Sequence, residues 1–303
     1  MKIIFQAMIM LLMVCKVEAK PPRMAENRMP GYPYISGDGF RSMADHVYDE
    51  TDESLQGGEV NIGDIVFVKT DKLGSFFNQI HPHIQHQYIL ISHNADHAAP
   101  GEFESYLQDK KILKWFGQNP TIMHHSKFVP IPIGIANRYV GDHGNVNNFK
   151  DFALGTISEK SCLLGYNFEP GSNRTERGPV HDMFFNRSYV KNLLGWPHRQ
   201  YLKRMSEAQF ILSPRGNGLD CHRTWEAFIV GSIPVMKSSM LDELLEGLPV
   251  LIVDDWAQIN EQFLKVSYQE ISQRFDLIHL QKLTYAYWKE LLVAYQYEVR
   301  SAL

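Results

Sequence analysis

Arg215, Arg223 and Glu226 stand close together in the sequence, and their chemistry points at one kind of ligand. A guanidinium donates paired hydrogen bonds to phosphate oxygens, and a carboxylate accepts from ribose hydroxyls. Arg223 and Glu226 are spaced so that a helix places them on one face near its start. The same spacing suits a surface ion pair between the two, which is the plainer alternative. Around them, residues 210–235 read FILSPRGNGLDCHRTWEAFIVGSIPV. Phe210, Ile211 and Leu212 have strand character, and Pro214, Gly216, Asn217 and Gly218 make a tight loop. Trp225, Phe228 and Ile229 recur at helical spacing, with Asp220 suited to an N-cap and Gly231 to a stop. Ile233, Pro234, Val235 and Met236 then supply a second strand, parallel to the first. A glycine loop feeding a helix presents unpaired N–H groups and the positive end of the helix dipole, which favours an anion such as a diphosphate. The candidate binding set is therefore Arg215, Gly216, Asn217, Gly218, Arg223 and Glu226.

The rest of the chain must supply the sheet that holds this unit. Residues 64–68 and 88–91 read as buried strands separated by a helical stretch over residues 73–84, a first βαβ unit. His93 and Asp96 follow the second of these strands, where loops at the carboxyl ends of parallel sheets carry function. Residues 112–116 and 128–133 add strand-like pieces, and residues 134–150 are loop-rich. A second half opens with a strand over residues 161–166. Residues 167–189 read as an exposed excursion, and residues 201–208 as a short helix. Residues 241–245, 259–274 and 277–299 read as helical, and residues 250–253 as a buried strand. The expected fold is α/β, with two Rossmann-like halves facing a cleft and the N-terminal one reduced. Its parts are a signal segment (1–19), an irregular lead-in (20–58), an N-terminal acceptor-side domain (59–155), a C-terminal nucleotide-binding domain (156–275) and a helical segment (276–303).

With 303 residues, 44% of them apolar, the chain can bury one large or two modest cores. A net charge of −4 gives no support to a nucleic-acid-binding surface. Lys2, an apolar run over residues 3–15 and the small residues before Lys20 read as a secretory signal cleaved after Ala19. As a membrane anchor that run falls short of the about 20 residues that a span takes. Two sequons, at Asn173 and Asn186, fit the same route and predict glycosylation on a surface segment. The destination is then the ER or Golgi lumen, or the outside of the cell. After cleavage Cys162 and Cys221 remain, either as one disulfide or as two free thiols. His81, His83, His86, His124 and His125 are not set at ligand spacing, so no metal or other cofactor is expected. Trp115, Trp225 and Trp256 sit in apolar settings that suit a core.

Ser213-Pro214-Arg215-Gly216, then Arg223-Thr224-Trp225-Glu226-Ala227, then Gly231-Ser232-Ile233-Pro234-Val235 resemble the C-terminal half of the exostosin-like glycosyltransferases of the GT-B fold. The resemblance is strongest over residues 210–255. It implies an inverting transfer of a sugar from a nucleotide diphosphate sugar to a hydroxyl on a glycan or glycoprotein, with Arg223 on the diphosphate and Glu226 on the ribose. Such a transfer needs a group to take the acceptor proton. Asp96 is the first candidate and His93 the second, with Asp71 behind them; a loop-capping role is the plainer reading of Asp96. A non-catalytic glycan- or nucleotide-sugar-binding protein of the same fold is the rival. A phosphohydrolase, which would call for metal ligands, ranks third.

Overall fold

The computed structural model describes residues 28–155, 159–274 and 277–301. The expected signal segment, residues 1–19, lies outside these, as do residues 20–27 of the expected lead-in. Strands β1 (His46–Tyr48), β2 (Ile65–Lys69), β3 (Tyr88–His93), β4 (Ile112–Gly117) and β5 (Phe128–Pro130) form one parallel sheet in sequential order. Strands β6 (Cys162–Tyr166), β7 (Val190–Asn192), β8 (Ala208–Leu212), β9 (Ile233–Lys237) and β10 (Leu251–Val253) form a second, in the order β10-β9-β8-β6-β7. All of its pairings are parallel as well. The N-terminal half, expected to be the reduced one, has as many strands as its partner.

Side-chain alternation explains how the two sheets meet. On β2 and β3, Ile65, Phe67, Ile89 and Ile91 turn towards the C-terminal half, whereas Val66, Val68, Tyr88 and Leu90 turn away onto Phe76 and Phe77. On β8 and β9, Ile211 and Met236 turn inwards, and Phe210, Leu212, Ile233 and Val235 face outwards. The period of two puts alternate residues on opposite faces, so continuous apolar runs become strands covered on both sides. The inward residues of both halves join one apolar cluster that also holds Trp225 and Phe228. Each large side chain buried there contributes roughly 1.5–3 kcal/mol.

Helices α2 (Arg174–Phe184), α3 (His198–Ser206), α4 (His222–Ile229) and α5 (Glu261–Arg274) belong to the C-terminal half. The first, α2, lies inside the stretch expected to be an exposed excursion. Asn173 starts it by accepting a hydrogen bond from the Glu176 N–H. Residues 28–58, expected to be irregular, supply both the edge strand β1 and the short helix α1 (Gly37–Arg41). They also carry buried ion pairs, Arg28 Nε to Asp38 Oδ1 at 2.9 Å and Arg41 Nε to Asp49 Oδ2 at 2.6 Å. A three-residue strand is too short for alternation to announce it, and its pairing with β2 decides its conformation.

The last helix, α6 (Tyr285–Ser301), returns to the N-terminal half. Trp288 packs edge-on against Phe40 of α1, and Gln296 Nε2 donates to Asp45 Oδ2 at 2.8 Å. Trp288 is buried in the shared cluster, so Trp288→Ala removes a large side chain at the point where three segments meet. Urea unfolding of that variant is expected to show a loss of about 3–5 kcal/mol. A loss below about 1 kcal/mol would show that α6 does not pack there.

Candidate functional site

The strand order of the second sheet reverses between β6 and β8, because β7 lies on one side of β6 and β8 on the other. In open parallel sheets such a reversal leaves a crevice outside the carboxyl ends of the two strands, and ligands bind there. Residues 213–218 leave β8 into this crevice, and Asn167 and Phe168 leave β6 into it. The first sheet, in sequential order, has no such reversal.

Two guanidinium groups sit at the reversal. Arg223 on α4 and Arg177 on α2 both lie against the Phe168 ring, with Cζ 5.6 and 5.8 Å from its centroid. Arg223 Nε donates to the Asn167 carbonyl, while its buried Nη1 has no partner. Arg177 Nε donates to the Arg215 carbonyl at 2.9 Å, and its Nη1 and Nη2 reach the Glu169 carbonyl and Cys221 Sγ. Among the described residues neither arginine has a carboxylate at ion-pair distance. Burial pulls the Arg177 pKa down, and the charge of Arg223 lowers it further. A buried and a half-buried cation held only by neutral acceptors suit an anion. The α4 N-terminus adds to it, since its N-cap, Cys221, gives no side-chain hydrogen bond.

Close approach explains the loop glycines. A Cβ on Gly216 would lie 2.9 Å from Arg177 Nη2, and one on Gly218 would lie 2.9 Å from Asn119 Nδ2. Asn173 Nδ2 donates to the Gly216 carbonyl at 2.7 Å, which pins the loop to α2. Of the two sequon asparagines, Asn173 is half-buried and Asn186 exposed. Arg215 and Asn217 are exposed on the loop, and Arg215 Nη2 donates to the Asn217 carbonyl. Arg177 holds the inner position expected for Arg215. The sequence did offer a signal for its helix, because Asn173 and Glu176 have the spacing of an N-cap and its N3 acid.

Glu226 does not pair with Arg223. It is buried, and its Oε1 accepts from His198 Nε2 at 2.8 Å. Asn148 Nδ2 lies 3.1 Å from His198 Nδ1 and also donates to the Asp142 carbonyl, so it donates to His198 and leaves the imidazole proton on Nε2. Burial pushes the Glu226 carboxyl up, but His198 and the neighbouring imidazoles of His222 and His143 outweigh that and hold it below the usual range. His143, His198 and Glu226 have ligand atoms within 4.8 Å of one another. With Nε2 protonated and Nδ1 taken by Asn148, His198 has no lone pair to offer a metal. Of the other histidines considered for metal, His81 lies between the Tyr88 hydroxyl and Asp109, and the exposed His124 ring lies beside Glu243.

A cavity of about 250 Å³ lies between the halves, with His93, Asn94, Asp96 and Gln118 on one side and His222 on the other. The Asn94 N–H donates to His93 Nδ1 at 2.6 Å, so the proton lies on Nε2 and points at the Pro132 carbonyl. Burial lowers the His93 pKa to about 4. Both nitrogens are occupied, which removes His93 as a base. Asp96 is exposed at the cavity, and its carboxylate has no hydrogen-bond partner among the described residues, so it does not cap its loop. Asp71 pairs with Lys69 instead of lining the cavity. The wall is rigidly built: Asn94 accepts from Asn137 and donates to Asp38, and a Cβ on Gly37 would come 1.8 Å from Asn94 Oδ1. His222, which sequence reasoning passed over, has its Nδ1 2.7 Å from the Gly134 carbonyl and must donate to it. Trp115, Trp225 and Trp256 are buried in the core clusters, as expected.

Of the two alternatives for the cysteines, one disulfide or two free thiols, the structure has the thiols. Cys162 and Cys221 are free thiols, because Cys162 starts β6 beside Ala208, whereas Cys221 lies beyond the opposite end of β8. The length of a strand separates them, roughly 13 Å at 3.3 Å per residue, and a disulfide needs Cα atoms within about 7 Å.

No family model matches the chain, and no curated protein matches it. Among solved structures, AviGT4, a glycosyltransferase involved in avilamycin A biosynthesis, is similar at a TM-score of 0.34 and 11% identity, over 76% of this chain and 88% of that one. A likeness that distant carries no argument, and the functional reading rests on the site.

Asp220, expected as the N-cap, instead links the halves. Its carboxylate accepts from the Ile133 and Cys221 N–H groups and from Trp225 Nε1, and its own N–H donates to Asn119 Oδ1. Burial raises its pKa to about 6. The folded state therefore holds a proton that the unfolded state has lost, so the stability linked to Asp220 is full below about pH 3.8 and falls as pH rises to about 6. The urea-unfolding free energy of wild type minus that of Asp220→Asn is expected to fall across that window. A flat difference would contradict the raised pKa.

Proposed function

We propose that the chain is a glycosyltransferase of GT-B type, similar to the exostosin-like enzymes, which moves a sugar from a nucleotide diphosphate sugar to an acceptor hydroxyl with inversion. The observation that carries this reading is the buried Arg177 beside the half-buried Arg223 at the strand-order reversal, neither with a carboxylate at ion-pair distance among the described residues. Arg177, Arg223 and the first amides of α4 bind the diphosphate and stabilise it as it leaves. Gly216 and Gly218 let the loop come close, and the exposed Arg215 and Asn217 border the donor. Glu226 offers a ribose hydroxyl only its second oxygen, since His198 holds the first. The acceptor, a hydroxyl on a glycan or glycoprotein, enters the cavity beside Asp96, whose free carboxylate binds it.

A secretory destination belongs to the same proposal, and it rests on the apolar N-terminal run and the Asn186 sequon. Among the described residues no helix is long and apolar enough to cross a membrane.

Isothermal titration with UDP and GDP, together with nucleoside diphosphate release from a panel of nucleotide sugars, tests the reading. Each hydrogen-bonded contact to a charged group carries about 1.5–3 kcal/mol. Arg177→Ala and Arg223→Ala are therefore each expected to weaken nucleoside diphosphate binding by roughly 10- to 150-fold. Affinity and turnover that survive both substitutions would overturn the donor site. Tight binding with no turnover of any donor would favour the non-catalytic reading.

A further inference from the structure

Resting on the glycosyl-transfer reading, we propose that His222 is the catalytic base, and that its Nε2 takes the proton of the acceptor hydroxyl. His222 opens α4, one position before Arg223, so one helix end holds both the cavity-facing imidazole and a diphosphate-binding cation. Consecutive residues of a helix point about 100° apart. Arg223 accordingly reaches the Asn167 carbonyl after β6, while His222 reaches the Gly134 carbonyl in the other half. A sugar whose diphosphate lies on the arginines then has its anomeric carbon towards the cavity.

The tautomer is fixed by geometry. The Gly134 carbonyl can only accept, so Nδ1 carries the proton and Nε2 keeps its lone pair. Among the described residues no hydrogen bond uses Nε2. His93 differs on this point, because both of its nitrogens are engaged.

The groups around His222 come from both halves. Asp96 from the loop after β3 and Glu226 from α4 itself favour its protonated form. His143, from the turn Arg138–Gly144, and His93 at the end of β3 oppose it, and Tyr139 also lines the cavity. Burial is the largest influence and lowers the pKa below the ordinary imidazole value of 6.5, so the ring is a neutral base at pH 7.

The step balances without a further reactant. The acceptor oxygen bonds to the anomeric carbon as its proton passes to Nε2. The bond from that carbon to the phosphate oxygen breaks, and its electron pair leaves on the nucleoside diphosphate. Asp96, with no partner of its own, stabilises the imidazolium across the cavity.

His222→Asn tests this, because the Asn amide keeps a donor near the Nδ1 position and offers no base. Nucleoside diphosphate affinity, titrated with UDP and GDP, is expected to stay within about threefold of wild type, while kcat falls by at least about 100-fold. The acid limb of the wild-type kcat/KM profile, centred below pH 6.5, is expected to disappear in the variant. In His222→Ala, added imidazole is expected to restore part of the rate. Undiminished turnover by His222→Asn, with the acid limb kept, would overturn the assignment and leave the donor site standing. A wild type that binds neither nucleotide would instead refute the donor reading. Independently of turnover, nitrogen-15 NMR of the histidine side chains is expected to show the Nδ1–H tautomer of His222 at pH 7. An Nε2–H tautomer would overturn the proposal even where no donor has been found.

Discussion

Arg177, buried, and Arg223, half-buried, are held against a single phenyl ring, and among the described residues no carboxylate lies at ion-pair distance from either. At an effective dielectric constant near 20, like charges on one ring repel by about 2 kcal/mol, and the desolvation of Arg177 adds to that cost. A fold does not keep such an arrangement for stability, since an apolar replacement of similar volume would serve as well or better. Binding an anion offsets the cost, and everything around the pair suits that outcome. The strand order opens a crevice there, glycines clear the loop, Asn173 pins it, and the α4 N-terminus points its free amides the same way.

The two halves divide the work through the same few contacts. Their inward faces share one apolar cluster, and α6 carries the end of the chain back across to α1. Asp220 and Asn119 tie the loop before α4 to the strands of the other half, and His222 donates to Gly134 in the same direction. The loop over residues 213–218 and the cavity wall therefore cannot move apart without breaking buried hydrogen bonds, each of which costs about 1–3 kcal/mol when a group is stranded. The relative placement of the arginine pair and the cavity is set by this joint.

The sequence made part of this plain. The strand, loop and helix over residues 210–235 were legible because glycine, proline and helical spacing are local signals, and Arg223 followed from them. Arg177 was not, because Gly178, Pro179 and a sequon made its helix look like a loop, and because its role depends on a strand order that no local pattern encodes. Glu226 was placed on its helix, but the ion pair with Arg223, the plainer alternative, is not the one it makes. Its contact with His198 spans a tertiary distance, whereas helical spacing offers only neighbours such as Arg223. The same limit applies to His93 and His222. Both were visible as histidines, yet carbonyls at Pro132 and Gly134 decide which nitrogen is free, and those contacts exist only in the folded chain. The edge strand β1 was hidden by its brevity and by the polar residues around it.

A crystal structure of the full chain grown with a nucleoside diphosphate tests the central claim most directly. The account predicts diphosphate oxygens within hydrogen-bond distance of both Arg177 and Arg223, at the carboxyl ends of β6 and β8. A diphosphate bound elsewhere, with the two guanidinium groups still unpartnered or closed on a carboxylate of this chain, would contradict it.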